Sequence, residues 1–323
     1  MTQSNNLKKV LIITYYWPPM GGGGVQRWLK MTKYLRDFGW EPVIFTVEGG
    51  EGAVEDPGLA SQIPPNIETH RVKIWEPFDL YKRFTGKGKE EKLTPGLVSS
   101  KKSSWSQKIS VWIRGNLFIP DARMFWIRPS TKYLTRYLKN HQIDAIVSTG
   151  PPHSTHLIAL NLKKKFSNPW LADIRDPWTN IDFYDKLMLN KWADRKHHKL
   201  ELQVLQTADQ IVTVSDSWAD DFKRLGGFRP VVITNGFDPQ DFEDSGNVDL
   251  DEHFTITHAG SLNNDRNPEL LWEVLGRLIK EEPRLDRDLR IQLVVEDQLI
   301  LNGTFFKCPD GLTDMGRYSG GAL

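Results

Sequence analysis

Four consecutive glycines, Gly21 to Gly24, stand between the apolar run Val10–Tyr15 and an amphipathic stretch that opens at Val25. Glycine lets a phosphate or a sugar approach the backbone closely. A helix starting there turns unpaired N–H groups and the positive end of its dipole outward, which suits an anion. Arg27, one turn in, adds a charge for such a ligand to meet; a turn with no ligand is the plainer alternative. His153 closes Ser148-Thr-Gly-Pro-Pro-His153 after another apolar run, where an imidazole can bond a hydroxyl or move a proton near neutral pH. Asp173-Ile-Arg-Asp-Pro-Trp178 follows a third run, and Arg175 and Asp176 can pair with each other or meet a substrate. Pro177 holds Asp176 on a loop. Asn235-Gly236 is a turn signal after a fourth run. Gly260 and Ser261, with Arg266 close by, can grip a diphosphate through amides and a guanidinium, or form a plain tight turn.

Each of these groups needs a strand end to hold it, and the sequence supplies strands at the right places. Apolar runs at Val10–Tyr15, Pro42–Val47, Ile67–Lys73, Ile143–Ser148, Trp170–Ile174, Gln210–Val214 and Pro230–Thr234 read as strands. Between them, Val25, Trp28, Leu29, Met31, Tyr34, Leu35 and Phe38 keep a helical period, stopped at Gly39, where a left-handed cap is wanted. Further helices are expected over Ser130–His141, Ser154–Phe166, Lys186–Gln206 and Ser217–Arg224. Strand–helix alternation of this kind predicts α/β architecture, a doubly wound parallel sheet with right-handed crossovers.

The expected domains are residues 1–240, a linker rich in Asp, Glu and Gly over 241–252, and a second domain over 253–323. The second opens with strand Phe254–Ala259, helix Pro268–Glu282 and strand Leu289–Val295. One β-α-β unit cannot bury its own apolar faces, so this reads as an incomplete domain. An insertion at about 79–128 stands apart. Nine basic residues lie between Tyr81 and Arg114 against Glu90 and Glu91, interleaved with Trp105 and Trp112. That pattern suits peripheral contact with an anionic membrane or a lipid-linked substrate, or else a solvated insertion whose aromatics close over the core.

Composition bounds the remaining classes. A net charge of +1 demands no polyanionic partner, so nucleic acid is not expected. The lone Cys308 excludes an intrachain disulfide and a multi-cysteine metal site. The polar start, Met1–Lys9, and the short run after it predict a cytoplasmic protein with no membrane span.

With these motifs assembled, the chain resembles the family-4 glycosyltransferases of GT-B fold from Val10 to about Val295. The match rests on Pro18-Pro19-x-Gly-Gly-Gly-Gly, Leu35–Thr46, Ser148–His153, Ala172–Trp178, Ala208–Ser215, Val232–Asp238 and Thr257–Ser261, seven segments in the expected order. The resemblance implies two Rossmann-like domains facing a cleft, with a glycan or lipid-linked acceptor on the first and a nucleotide-sugar mostly on the second. It implies retaining, metal-independent transfer with no cofactor, and a role in building a surface polysaccharide or glycolipid. On that reading Gly21, Gly22, Gly23 and Gly24 lie near the donor phosphates, His153 lies near the transferred sugar, and Gly260 and Ser261 approach the diphosphate.

Departures from the family pattern are plain. Ser261 stands where an arginine is usual, and only Arg266 keeps a charge near the expected lysine. The paired-glutamate motif is missing: Glu68 with Glu76 and Glu273 with Glu281 have its spacing but lie in the wrong elements. The expected position falls beyond residue 323, so a truncated, inactive fragment that only binds is one alternative. The other is a nucleotide-dependent oxidoreductase, favoured by Glu48 at the end of the second strand and opposed by Arg27 in place of a third glycine. Asp249-x-Asp251 and Asp286-x-Asp288 read as solvated acids rather than metal ligands.

Overall fold

A computed structural model describes residues 7–50, 55–75, 105–226, 228–245, 251–260 and 267–294. The chain divides into two compact units, Met1–Thr94 with Lys102–Asp238 and Pro95–Lys101 with Pro239–Leu323.

In the first unit, seven parallel strands form one sheet in the order β3-β2-β1-β4-β5-β6-β7. They are β1 (Lys8–Ile13), β2 (Trp40–Glu48), β3 (Glu68–Lys73), β4 (Ala145–Gly150), β5 (Trp170–Ile174), β6 (Gln210–Thr213) and β7 (Val231–Val232). The order reverses between β1 and β4, and the carboxyl ends at such a switch point are where open α/β sheets bind ligands. Residue alternation along β1 builds both faces of the core. Leu11 and Ile13 pack with Phe45, Trp126, Leu134 and Ile158 on one side, and Val10 and Ile12 pack with Val25, Trp28 and Leu29 on the other.

The helices are α1 (Gly23–Tyr34), α2 (Gly58–Ser61), α3 (Trp105–Leu117), α4 (Met124–Asn140), α5 (Ser154–Lys163), α6 (Lys191–Thr207) and α7 (Asp216–Gly226). Three boundaries differ from the sequence expectation for physical reasons. α1 gives way at Leu35 to a tighter turn that ends on left-handed Gly39. The change of period swings Phe38 out to 78% exposure, so it leaves the buried stripe. α4 begins six residues before Ser130 and carries Pro129 inside. An internal proline costs about 3 kcal/mol. It is offset by Trp126, fully buried and stacked on Phe45 at 5.4 Å. α6 starts at Lys191 rather than Lys186, because the Asn190 side chain caps the amides of Trp192 and Ala193.

Of the basic and aromatic insertion, residues before Trp105 lie outside the described residues, and the remainder forms α3 and the start of α4. α3 is held down by Asn116, which accepts from the Asn190 amide at 2.7 Å and donates to the Met188 carbonyl at 3.2 Å. No described helix is long and apolar enough to cross a membrane.

In the second unit, β8 (Phe254–Ala259) and β9 (Leu289–Val294) pair in parallel, joined by α8 (Glu269–Glu281) and α9 (Pro283–Asp288). Leu275 and Leu289 are buried, while Phe254 and Leu270 are exposed.

Candidate functional site

The loops leaving β1, β4, β5 and β7 are tied to one another by named bonds, and the tie is built from a buried charge. Asp173, in an otherwise apolar strand, is fully enclosed. Its carboxylate accepts from Arg27 Nη2 (3.0 Å) and Nε (3.1 Å), Trp28 Nε1 (2.7 Å) and Thr149 Oγ1 (3.1 Å). Arg27 sends its Nη1 to the Thr234 carbonyl (3.2 Å) and Asn235 Oδ1 (3.1 Å), and its Nη2 also to the Ile233 carbonyl (2.9 Å). A guanidinium has five N–H donors, and all five are engaged. This corrects the expectation that Arg27 offers charge to a ligand: it is the cross-brace of α1, β5 and the end of β7. The same bonds account for β7 stopping at Val232, since the next two carbonyls face Arg27. Asp173 itself was missed as a site-shaping residue. The available signal was a carboxylate in a buried-strand pattern, which must have partners.

The glycine loop is shaped by close approach. Gly22 caps α1 with φ 89°, and no side chain caps that helix start. Of the first-turn amides of α1, that of Val25 donates to the Gly22 carbonyl at 3.1 Å, and those of Gly23 and Gly24 have no intrahelical acceptor. A Cβ on Gly24 would fall 2.9 Å from Tyr16 Cδ2 and 3.5 Å from Arg175 Nη1, whereas Gly22 and Gly23 have open space beside them. Gly21 is buried at the foot of the loop. Arg175 Nη1 donates to the Gly23 carbonyl at 3.3 Å, and its Nε and Nη2 reach Asp176 Oδ2 at 3.3 and 3.1 Å. The β5 loop is thereby bonded to the glycine loop, and Asp176 is ion-paired with the adjacent arginine.

His153 lies flat on Trp178, with ring centroids 4.7 Å apart and planes 2° from parallel. Its Nδ1 is enclosed without a hydrogen bond. Burial, then the nearby His156, His197 and Arg175, push its pKa well below the usual histidine value, so the ring is neutral at pH 7. Trp178 is held in turn: its Nε1 donates to His197 Nδ1 at 3.0 Å, leaving His197 Nε2 to donate to the Gly115 carbonyl at 3.3 Å. His156 points under β4 rather than along the helix. Its Nδ1 pairs with Ser148 Oγ at 2.8 Å, and its Nε2 is 2.5 Å from where a Cβ on Gly150 would sit. Burial lowers its pKa to about 4.

The start of α5 is closed by the chain itself. Asp121 accepts from the Ser154 amide and from Ser154 Oγ, both at 2.8 Å. Asn235 is committed through its side-chain oxygen to Arg27, and Gly236 has open space beside it. In the second unit, Gly260 ends β8 with φ 134°, a conformation that side-chain-bearing residues rarely adopt. Ser261 and Arg266 lie outside the described residues. Among the described residues, no group of three or more His, Cys, Asp or Glu side chains is placed to hold a metal ion. The structure thus brings together Gly21–Gly24, Arg27, His153, Arg175, Asp176 and Asn235 on one sheet edge.

A seven-stranded parallel sheet with this order, and loops gathered at its switch point, defines a Rossmann-like domain of GT-B type. Residues 97–241 match Glycosyltransferase Family 4. Among solved structures, the chain is similar to the Candida albicans trehalose-6-phosphate phosphatase N-terminal domain. That likeness has a TM-score of 0.54 and 13% identity, over 91% of this chain and 66% of that one. Similarity extends to sucrose-phosphate synthase from Thermosynechococcus elongatus, with TM-score 0.47 and 13% identity over 88% and 62%. It extends also to TarM, with TM-score 0.48 and 10% identity over 91% and 73%. The chain thus spans just under two thirds of the length of the first two. A search of curated proteins finds no sequence match. The oxidoreductase and non-catalytic readings are not favoured.

Proposed function

We propose that this protein transfers a glycosyl group from a nucleotide-sugar to an acceptor used in a surface polysaccharide or glycolipid, retaining the anomeric configuration without a metal. The observation that carries the reading is the bonded convergence of the β1, β4, β5 and β7 loops beside an uncapped helix start. The acceptor sits on the first unit, with His153 and Asp176 near the transferred sugar and Gly21–Gly24 near the donor phosphates. Gly260, Ser261 and Arg266 bind the nucleoside diphosphate. Charge growing on the leaving diphosphate is met by backbone amides and cationic side chains, which supply electrostatic stabilisation without a metal. A neutral His153 suits a hydrogen bond to a sugar hydroxyl better than it suits proton donation.

The protein works in the cytoplasm, and the basic insertion rests on the anionic face of a membrane. α3 supports that part by exposing Ile109, Trp112 and Leu117. Flotation with anionic and neutral liposomes is the check, and equal partitioning at all salt concentrations excludes it. The main test is a panel of nucleotide-sugars assayed for release of free nucleoside diphosphate. At least one donor is expected to turn over. Tight NADH binding with no response to any nucleotide-sugar would overturn the assignment.

A further inference from the structure

We propose that His197 is a positioning residue for sugar transfer. Seated on the Gly115 carbonyl of α3, it fixes the Trp178 indole, and the indole fixes the plane of the His153 ring in the site. This deepens the sugar-transfer reading above and rests on it, since His153 faces the transferred sugar only on that reading.

The backbone around His153 is held without this help. Asp121 takes the Ser154 amide and hydroxyl, and Thr155 Oγ1 lies 2.8 Å from both the Thr149 and the Pro152 carbonyl oxygens. The ring is another matter. Its Nδ1 is enclosed without a hydrogen bond, so no polar contact on that side sets its angle. What sets it is the face of Trp178, 4.7 Å away and 2° from parallel. A stacked ring is held only as firmly as its partner, and Trp178 is gripped from α6. His197 and Glu201 stand one helical turn apart on the buried side of that helix. His197 takes the indole N–H at 3.0 Å, and Glu201 accepts from the amide and hydroxyl of the next residue, Thr179.

The proton on His197 is placed by its partners. An indole N–H only donates and a carbonyl only accepts, so one neutral tautomer, with the proton on Nε2, satisfies both contacts. The other tautomer breaks both, and a second proton sets N–H against N–H at Trp178. Burial lowers the His197 pKa, in keeping with the neutral form that the two bonds require. The far end is equally constrained. A Cβ on Gly115 would fall 2.7 Å from Leu189 Cδ2 and 2.8 Å from the Leu187 carbonyl oxygen. Glycine at this point lets α3 approach closely enough for its carbonyl to meet His197 at 3.3 Å. Contact by contact, the line runs from Gly115 through His197 and Trp178 to His153.

Imidazole nitrogen–proton correlation spectra of the full chain are the first test, with His153 and His197 assigned from His153→Gln and His197→Phe. Wild-type His197 is expected to carry its proton on Nε2. His197→Phe keeps a ring and drops both bonds, whereas His197→Asn keeps an amide oxygen where Nδ1 accepts. The His153 resonances are expected to move in His197→Phe and Gly115→Ala, to return toward wild type in His197→Asn, and to stay put in His198→Gln on the exposed side of α6. Unmoved His153 resonances in both His197→Phe and Gly115→Ala overturn the proposal. Nucleotide-sugar turnover is the second test. A misdirected ring loses alignment rather than donor binding, so His197→Phe is expected to lower kcat about tenfold with the donor KM within about twofold. His197→Asn is expected to recover part of that loss. An unchanged kcat in His197→Phe, or a loss that His197→Asn does not relieve, overturns the positioning role. A wild type that turns over no nucleotide-sugar removes the sugar-transfer reading instead, and the spectra then decide the His197 line by themselves.

Discussion

A charged residue in a buried strand commits its surroundings, and Asp173 with Arg27 is the clearest case here. Removing one partner of a buried pair leaves the other charge uncompensated, at a cost of about 3–5 kcal/mol. Asp173→Asn is therefore expected to lower unfolding stability by roughly that amount in urea titration. A loss under about 1 kcal/mol would mean that water screens the pair. The histidines make a second residue-scale prediction. His156 faces Ser148, Trp170 and Gly150, with Asp173 the nearby charge, and its folded pKa of about 4 lies below the unfolded value of 6.5. The unfolded state thus binds the proton more readily. The contribution is fully present above pH 6.5 and is lost as pH falls toward 4, on the order of 3 kcal/mol in all. Stability measured across that window should fall with acidity, and less steeply in His156→Gln; identical slopes would contradict the assignment. His153 and His197 are shifted the same way and add to the slope.

At the scale of elements, most strands were readable from apolar runs, because a parallel sheet covered on both faces needs unbroken hydrophobicity. Trp170–Ile174 and Phe254–Ala259 fall where the pattern put them. What escaped the sequence depended on partners far along the chain. The early start of α4 depends on Phe45, and the early end of β7 depends on Arg27, neither visible in a local window. The same holds at the site. The glycines, His153 and the β5 loop announce themselves by type and position, but the commitment of Arg27 and the rotation of His156 are set by tertiary bonds. The glycine loop yields a paired test. Gly24→Ala is expected to push Tyr16 aside and cost about 1–3 kcal/mol, with a matching fall in donor turnover. Gly23→Ala meets open space and should leave stability within error. Equal effects from the two substitutions would show that the Tyr16 contact does not shape the loop.

For the whole molecule, the two units differ in how much they bury. The first unit buries apolar side chains on both faces of its sheet, and the second buries Leu275 and Leu289 and exposes Phe254 and Leu270. Local opening free energy follows buried contacts, so amide exchange should be far faster in β8 and β9 than in β1 and β4, by roughly a hundredfold or more. Uniform protection across both sheets would refute this.

Asp121 has one more consequence. Two helices, α1 and α5, begin beside the strands where the sheet order reverses, yet they are not equivalent. One greets a negative group with bare amides, and the other already holds a carboxylate of its own chain and repels a second. A molecule charged at one end can therefore lie across the strand tips in only one direction. That polarity is imposed by an aspartate that need never touch the visitor.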